Sequence, residues 1–339
     1  MTEQPGCVIL RDCFGDDCLT KANTGATGDK CRVVILTDDP GWHGARLREA
    51  FELRAVEVSY ASLRDCRFDL NRPGSDPVNP GVVIPGLDGR LPDGVFVRGV
   101  PGGTLEQVVL RLDVLHALRL LGVPVYNDGR AIERTVDKAM TSFVLARAGI
   151  ATPATWVTES EAEARDVVTK ETAGGRELVV KPLFGSQGAG LKRVNGVAAL
   201  PPAPDYDGVY YLQRYIEPAA PGWHDWRVFV INGTAVAAMI RHGKDWITNV
   251  SQGGRCEPAD LAAHDDLRSL AEHAVGALEM DYAGVDLIRD GEGRTHVVEV
   301  NGIPAWKGLQ SVSRVNIAQR LADDFLARYL QRPMLHSVA

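Results

Sequence analysis

Two carboxylates and an amide stand close together in residues 283–301, AGVDLIRDGEGRTHVVEVN, where two β-rich runs flank the turn Asp290-Gly291-Glu292-Gly293. Side chains alternate faces along a strand, so Glu299 and Asn301 point the same way and Asp286 on the partner strand can join them. Such an oxygen set suits a hard cation, Mg²⁺ above all, carrying the phosphates of a nucleoside triphosphate. Solvated strand residues could be of the same types, but Asp286 and Glu299 interrupt apolar runs, and an unpartnered buried carboxylate is costly. Lys181 ends another apolar run, ELVVKPL, and leads into FGSQGAG, where Gly185, Gly188 and Gly190 let backbone N–H groups approach an anion. No Gly-Lys-Ser/Thr follows and LKRV reads as a returning strand, so this is a strand-loop-strand flap, which alone could be a structural turn. Arg227 and Arg241, on successive strands, can each grip a phosphate or carboxylate bidentately, or fill a surface ion pair. Lys138 falls in a helical run, where a lysine is ordinarily a solvated face residue.

The elements that must hold these residues follow from periodicity. CRVVILTDD reads as a buried strand and ARLREAFEL as a helix. Residues 94–100 form a second strand, 104–122 a long amphipathic helix ended by Gly122, and VPVYND a third strand. The Pro-, Gly- and Asp-rich stretch 71–92 is a long surface excursion inside this α/β unit. A second unit opens with one helix over 131–149, ended by Gly149, and continues through the strand TPATWV, a charged helix at 161–172 and the Lys181 strand. From about residue 210, YYLQRYI, DWRVFVI and TAVAAMIRH are successive strands, the last two joined at Asn232-Gly233. The expected division is a poorly defined leader over 1–30, an N-terminal α/β domain over 31–128, a central unit with the flap over 129–211, and a C-terminal unit with the metal site over 212–330.

The chain has 339 residues, with 37 Lys and Arg against 44 Asp and Glu, so no basic excess exists to hold a polyphosphate backbone and nucleic acid is not expected as a partner. No apolar run approaches the ~20 residues of a membrane span and no secretory start precedes the first strand, which predicts a cytoplasmic protein with no membrane partner. The cysteines, Cys7, Cys13, Cys18, Cys31, Cys66 and Cys256, are too few and too scattered for a disulfide scaffold or a zinc knuckle. A homo-oligomer is compatible with all of this.

In this order, Lys138, Lys181 with its flap, LQRYIE, Arg241, Asn249, Asp286 and Glu299-Val300-Asn301 resemble the ATP-grasp superfamily over about residues 94–325. Within it the chain resembles the RimK-like glutamate ligases, through FVRG, VDKAMTSFVLARAGIATPATWVTES, VVKPLFGSQGAG, DWRVFVI, NVSQGGR, YAGVDLI and VEVNGIPAWKGL. The resemblance implies an α/β and α+β architecture: an ATP-grasp fold with an N-terminal Rossmann-like (pre-ATP-grasp) domain, a central lid subdomain and a C-terminal catalytic subdomain. It implies that Lys138 and Lys181 hold the α- and β-phosphates of ATP, covered by Gly185, Ser186, Gln187, Gly188 and Gly190. Gln213, Arg214, Tyr215 and Ile216 become the hinge strand whose backbone reads the adenine, and Asp225 a ribose contact. Arg214 stands where relatives carry an acidic hinge residue, which leaves the exocyclic amine to backbone carbonyls. Arg241 and Asn249 face the γ-phosphate and the acyl group, completing the catalytic set with Lys181, and Asp286, Glu299 and Asn301 become ligands of two Mg²⁺ ions, for which Mn²⁺ can substitute.

The implied reaction is amide formation: a carboxylate takes the γ-phosphoryl group of ATP, ADP leaves, and an amine attacks the acyl phosphate. The implied substrates are glutamate and a small-molecule acceptor, a one-carbon carrier of methanopterin or methanofuran type. Arg98, Arg227, Arg255 and Lys307 are the candidate cations for an acidic substrate, and Trp246 and Trp306 are candidates to stack on a flat ring or to serve as core or lid aromatics. Glutamylation of a protein tail, a noncatalytic nucleotide-binding protein and a phosphotransferase are the competing readings. The complete set of lysines and metal-type ligands argues against the noncatalytic one.

Overall fold

Strands covered on both sides read as continuous apolar runs, and in the first, β1 (Arg32–Leu36), no surface of Val33, Val34, Ile35 or Leu36 is exposed. The structure, a computed structural model, describes residues 31–71, 79–185, 188–219 and 222–330. The expected leader with Cys7, Cys13 and Cys18, and the flap residues Ser186 and Gln187, lie outside the described residues. β1 sits in a parallel sheet of order β2-β1-β5-β6 with β2 (Glu57–Ala61), β5 (Gly94–Val97) and β6 (Val125–Tyr126). Helices α1 (Gly41–Glu52) and α2 (Leu105–Leu120) cross between strands. α2 opens with a capping box, Thr104 and Gln107 each bonding the other's backbone. Of the expected surface excursion over 71–92, the part from residue 79 onward belongs to the fold. β4 (Val82–Val83) pairs with β3 (Arg67–Phe68), and Val82, Ile84 and Leu87 pack into the core with Val34 and Leu115, because the turn residues there flank a short apolar run.

The helix expected over 131–149 is in fact two, α3 (Gly129–Val136) and α4 (Lys138–Arg147). Asp137 divides them: its backbone is extended and its carboxylate accepts from the Ala139 and Met140 N–H groups at 2.8 and 3.1 Å. A short carboxylate that competes for helical N–H groups ends one helix and caps the next. Lys138 is therefore the first residue of a helix, not a mid-helix face residue.

β7 (Thr155–Thr158), β8 (Leu178–Lys181), β9 (Lys192–Val194) and β10 (Tyr210–Arg214) form an antiparallel sheet, order β7-β10-β8-β9, with α5 (Glu161–Ala173) in its core. The largest sheet has the order β13-β12-β11-β14-β15, built from β11 (His224–Ile231), β12 (Thr234–His242), β13 (Arg255–Pro258), β14 (Tyr282–Arg289) and β15 (Thr295–Asn301). One set of alternate residues, including Trp226, Val228, Ile240, Val285, Leu287 and Val297, packs with α6 (Asp265–Ala277). The opposite set carries Asp225, Arg227, Arg241, Asp286 and Glu299 toward one end. Toward the other it carries Phe229 and Ile231, in a core shared with Trp306 and α8 (Ile317–Tyr329). A bulge at Val298, between the pairs Asp286–Glu299 and Leu287–Val297, re-aims the strand beside these charges.

Although α8 follows the third sheet in sequence, it packs on the first. Phe325 meets Phe51 and Phe96 at ring-centroid distances of 5.8 and 6.3 Å, and Arg54 grips Asp323 through two hydrogen bonds of 2.6 and 2.7 Å. Asn127, fully buried, fastens the sheets together. Its amide donates to the Tyr282 and Gly302 carbonyls, and its oxygen accepts from the Asp281 and Tyr282 N–H groups. No helix among the described residues is long and apolar enough to cross a membrane.

Candidate active site

A cavity between the second and third sheets gathers Lys138, Lys181, Gly185, Gly188, Gln213, Arg214, Tyr215, Ile216, Asp225, Arg241, Asn249, Asp286 and Glu299. Lys181, at the end of β8, is 8% exposed and donates from Nζ to Gln213 Oε1 at 2.6 Å. The Gln213 amide is turned that way because its NH₂ donates to Thr155 Oγ1 at 3.1 Å and to the Tyr211 hydroxyl at 3.2 Å. That hydroxyl in turn meets Ser142 Oγ on α4 at 2.7 Å. Burial pulls the Lys181 ammonium down to about 8, with Glu299 opposing the shift and Lys138 adding to it. Lys138 donates to the Gly185 and Leu183 carbonyls at 2.9 and 3.4 Å, and burial lowers it too, against the pull of Glu299. A buried and a half-buried ammonium group, each bonded directly to neutral oxygens, make a site that gains from an anion.

Gly188 (φ +75°) and Gly190 (φ +72°) hold left-handed backbone that favours glycine, and the space is closed as well. A Cβ on Gly188 would lie 2.9 Å from Asn249 Oδ1, and one on Gly190 2.7 Å from Pro182 Cγ. Gly190 itself does not line the cavity; its carbonyl accepts from the Tyr206 hydroxyl at 2.8 Å.

The arginines form a chain of buried charge. Arg227 donates to both Asp286 oxygens at 2.6 Å, and Arg241 Nη2 reaches Asp286 Oδ2 at 3.0 Å. Arg241 also donates to both Asp225 oxygens, at 2.7 and 2.5 Å, and Thr248 Oγ1 donates to Asp225 Oδ2 at 2.7 Å. Burial alone would raise the Asp286 carboxyl, but Arg227 and Arg241 outweigh it and hold the group below the usual carboxylate range. Asp225, the expected ribose contact, lines the cavity with both oxygens accepting from Arg241 and Oδ2 also from Thr248, so it anchors an arginine at the wall. Arg227, expected as a substrate cation, lies off the cavity wall and neutralises Asp286.

The donor set fits a hard divalent cation. Asp286 and Glu299 are direct cross-strand partners, so their carboxylates share a face. Among the described residues the Glu299 carboxylate has no hydrogen-bond partner, and Asn301 uses Nδ2 on the Gly284 carbonyl at 3.4 Å, which leaves its Oδ1 available. Asp286 would share its oxygens between the ion and the arginines. Among the described residues no three His, Cys, Asp or Glu side chains gather, so an ion here rests on two carboxylates and an amide.

Strand alternation turns Gln213 toward Lys181 and Arg214 away. Arg214, expected beside the adenine, pairs with Glu171 of α5 at 2.8 and 3.1 Å. The remaining substrate cations do not line the cavity. Arg255 is exposed and pairs with Glu257 at 2.5 Å. Arg98 donates to the Pro304 carbonyl at 3.0 Å and lies 4.5 Å over the Trp306 ring. Trp306 is wholly buried, a core residue, whereas Trp246 lines the cavity. Lys307 starts α7 (Lys307–Val312), where its N–H and that of Trp306 donate to His43 Nε2 at 3.2 and 3.0 Å. Burial, with Arg98 and Lys307, lowers His43 to about 4. Sequence reasoning missed the side chains of Tyr211 and Gln213 as the frame of Lys181, and Thr248 as an anchor. The period of two along β10, which puts 211 and 213 on one face, was the available signal for the first pair.

A family model described as the RimK-like ATP-grasp domain matches residues 135–325. A tetrahydromethanopterin:alpha-L-glutamate ligase of Methanocaldococcus jannaschii is 38% identical over 224 residues, covering 64% of this chain and 74% of that one. The ligase of the same name from Methanosarcina acetivorans is 28% identical over 331 residues, 88% of this chain and 98% of its own. Among solved structures, the ATP-grasp ligase PsnB complexed with a minimal precursor, Mg and ADP superposes with a TM-score of 0.66 at 19% identity, covering 90% of this chain and 99% of that one, a likeness of fold. The chain belongs to the RimK-like ATP-grasp family and is a ligase of that kind.

Proposed function

We propose that the protein is an ATP- and Mg²⁺-dependent carboxylate–amine ligase that forms an amide with glutamate through an acyl phosphate, in the making of a one-carbon carrier of methanopterin or methanofuran type. The observation that carries the reading is a pair of lysines, buried Lys181 and half-buried Lys138, lining one cavity with Glu299 and Asp286. Similarity to ligases named for tetrahydromethanopterin and glutamate supports the substrate class.

In this reading Lys138 and Lys181 hold the α- and β-phosphates, and Gln213 keeps the Lys181 ammonium directed into the cavity. Asp286, Glu299 and Asn301 would hold Mg²⁺, which supplies neutralisation of charge on the transferring phosphoryl group. Arg241, fixed by Asp225, and Asn249 line the wall beside it, and Gly185 and Gly188 border the space that would hold the acyl phosphate away from water. No general-base pair is required, because alignment and charge carry phosphoryl transfer.

The test is ADP release with ATP and Mg²⁺, compared for no addition, glutamate alone, and glutamate with tyrosine, tyramine or a pterin carrier, with products weighed by mass spectrometry. A product equal to acceptor plus glutamate minus water is the expected result. A phosphorylated product without amide would replace this reading with a phosphotransferase. ADP release stimulated only by a polypeptide would replace the small acceptor with a protein tail.

A further inference from the structure

Residues 243–254, between β12 and β13, are tied to three different parts of the cavity. Glycines bound the segment because a Cβ at Gly243 would lie 2.5 Å from the Asp245 carbonyl, and one at Gly254 2.3 Å from that of Thr248. Trp246 meets the Tyr215 ring edge-on at 6.1 Å, beside the hinge strand. Asn249 Oδ1 lies against Gly188. Between these two contacts Thr248, 9% exposed, donates its hydroxyl to Asp225 Oδ2, the same oxygen that accepts from Arg241 Nη2. Asn249 and Arg241 stand on different elements, and this shared oxygen joins them.

We propose that Thr248 is a positioning residue that, through Asp225, registers Asn249 against Arg241 around the terminal phosphate of a bound nucleoside triphosphate. The inference rests on the nucleotide reading above. Lys138 and Lys181, assigned to the inner phosphates, bond to Gly185, Leu183 and Gln213 and not to this chain of contacts, so the hydroxyl acts on the terminal phosphate selectively. A displacement of about 1 Å at a phosphoryl-contacting group is enough to lose alignment.

The experiment is calorimetric titration of AMPPNP and of ADP, each with Mg²⁺, into the parent protein, Thr248→Val, Thr248→Ala and Thr248→Ser, with melting temperatures measured alongside. The expected result is that the Val and Ala variants lose about tenfold in AMPPNP affinity while ADP affinity stays within about twofold, and that Ser, which keeps the hydroxyl, restores the parent's preference. Use of two hydroxyl-free variants guards against one that folds poorly. Equal weakening of both nucleotides, or no weakening of either, overturns the proposal. A parent chain that binds neither nucleotide overturns the nucleotide reading and this proposal with it, and is recognised in the parent titration alone.

Discussion

The two faces of the five-stranded sheet are built from the same strands and do opposite things. On the α6 face, Val228, Val285, Leu287 and Val297 are wholly buried, and charge stands at its margin, where Arg289 donates to Asp266 Oδ2 at 2.6 Å. One residue along each strand, the other face holds Asp225, Arg227, Arg241 and Asp286, two anions against two cations, all at 14% side-chain exposure or less. Burying ions costs solvation that apolar packing does not, and well-packed hydrophobic residues of similar volume often serve stability as well or better. These four ions cancel, which leaves the Glu299 carboxylate on the same face as the charge in excess, free to meet a cation, and the apolar face behind stabilises the whole.

That contrast can be broken in a graded series. Lys181→Ala should lower ATP turnover by about three orders of magnitude, the scale of losing a positioned charge at a transferring group, while the melting temperature holds or rises because a buried ammonium is removed. Retained turnover would take Lys181 out of the phosphate site. Asp286→Ala leaves two buried guanidinium groups short of an anion and should cost about 3–5 kcal/mol in denaturant unfolding. A loss under about 1 kcal/mol would mean that the arginines find water instead. Leu287→Ala, its neighbour on the apolar face, should cost about 2–5 kcal/mol by cavity formation yet leave nucleotide affinity of the folded protein unchanged; altered affinity would show the faces to be coupled. Glu299→Gln should weaken Mg²⁺-nucleotide binding about tenfold with little change in stability, since among the described residues no hydrogen bond holds that carboxylate; parental affinity would remove it from the metal site.

The smallest effect is with pH. Lys181 titrates near 8 folded against 10.5 unfolded, so between these values the unfolded chain binds more protons and stability rises with pH. Over the same window the ammonium is lost and AMPPNP affinity should fall. Lys181→Ala should show neither trend, and a parent whose affinity is flat from pH 7 to 9.5 would mean that the lysine is not shifted.

Much of this site could be read from spacing, because alternation along a strand is a local property. Asp286, Glu299 and the Lys181 strand were recognisable from charges set into apolar runs, and the parallel sheet from β1 and β5. Pairing was not recognisable. That Asp225 would be taken by Arg241, or Arg214 by Glu171, depends on which strands and helices become neighbours, and period carries no partner. The break at Asp137 was hidden for another reason: apolar periodicity runs through it, and only the capping geometry shows that a short carboxylate has won the local N–H groups. The destination of α8 was equally hidden, since an amphipathic helix states that it has a buried face and not whose face it covers.

That last helix bears on how the molecule is made. Phe325 and Asp323 complete a core begun by Phe51, Arg54 and Phe96, across a separation of 269 residues for the Arg54–Asp323 pair. A nascent chain emerging from its N-terminal end exposes β1, β5 and α1 long before their cover exists, and closing so long a loop is slow. The first sheet to be synthesised is thus the last to be sealed, and a chain cut short before α8 would present an open aromatic surface to whatever meets it.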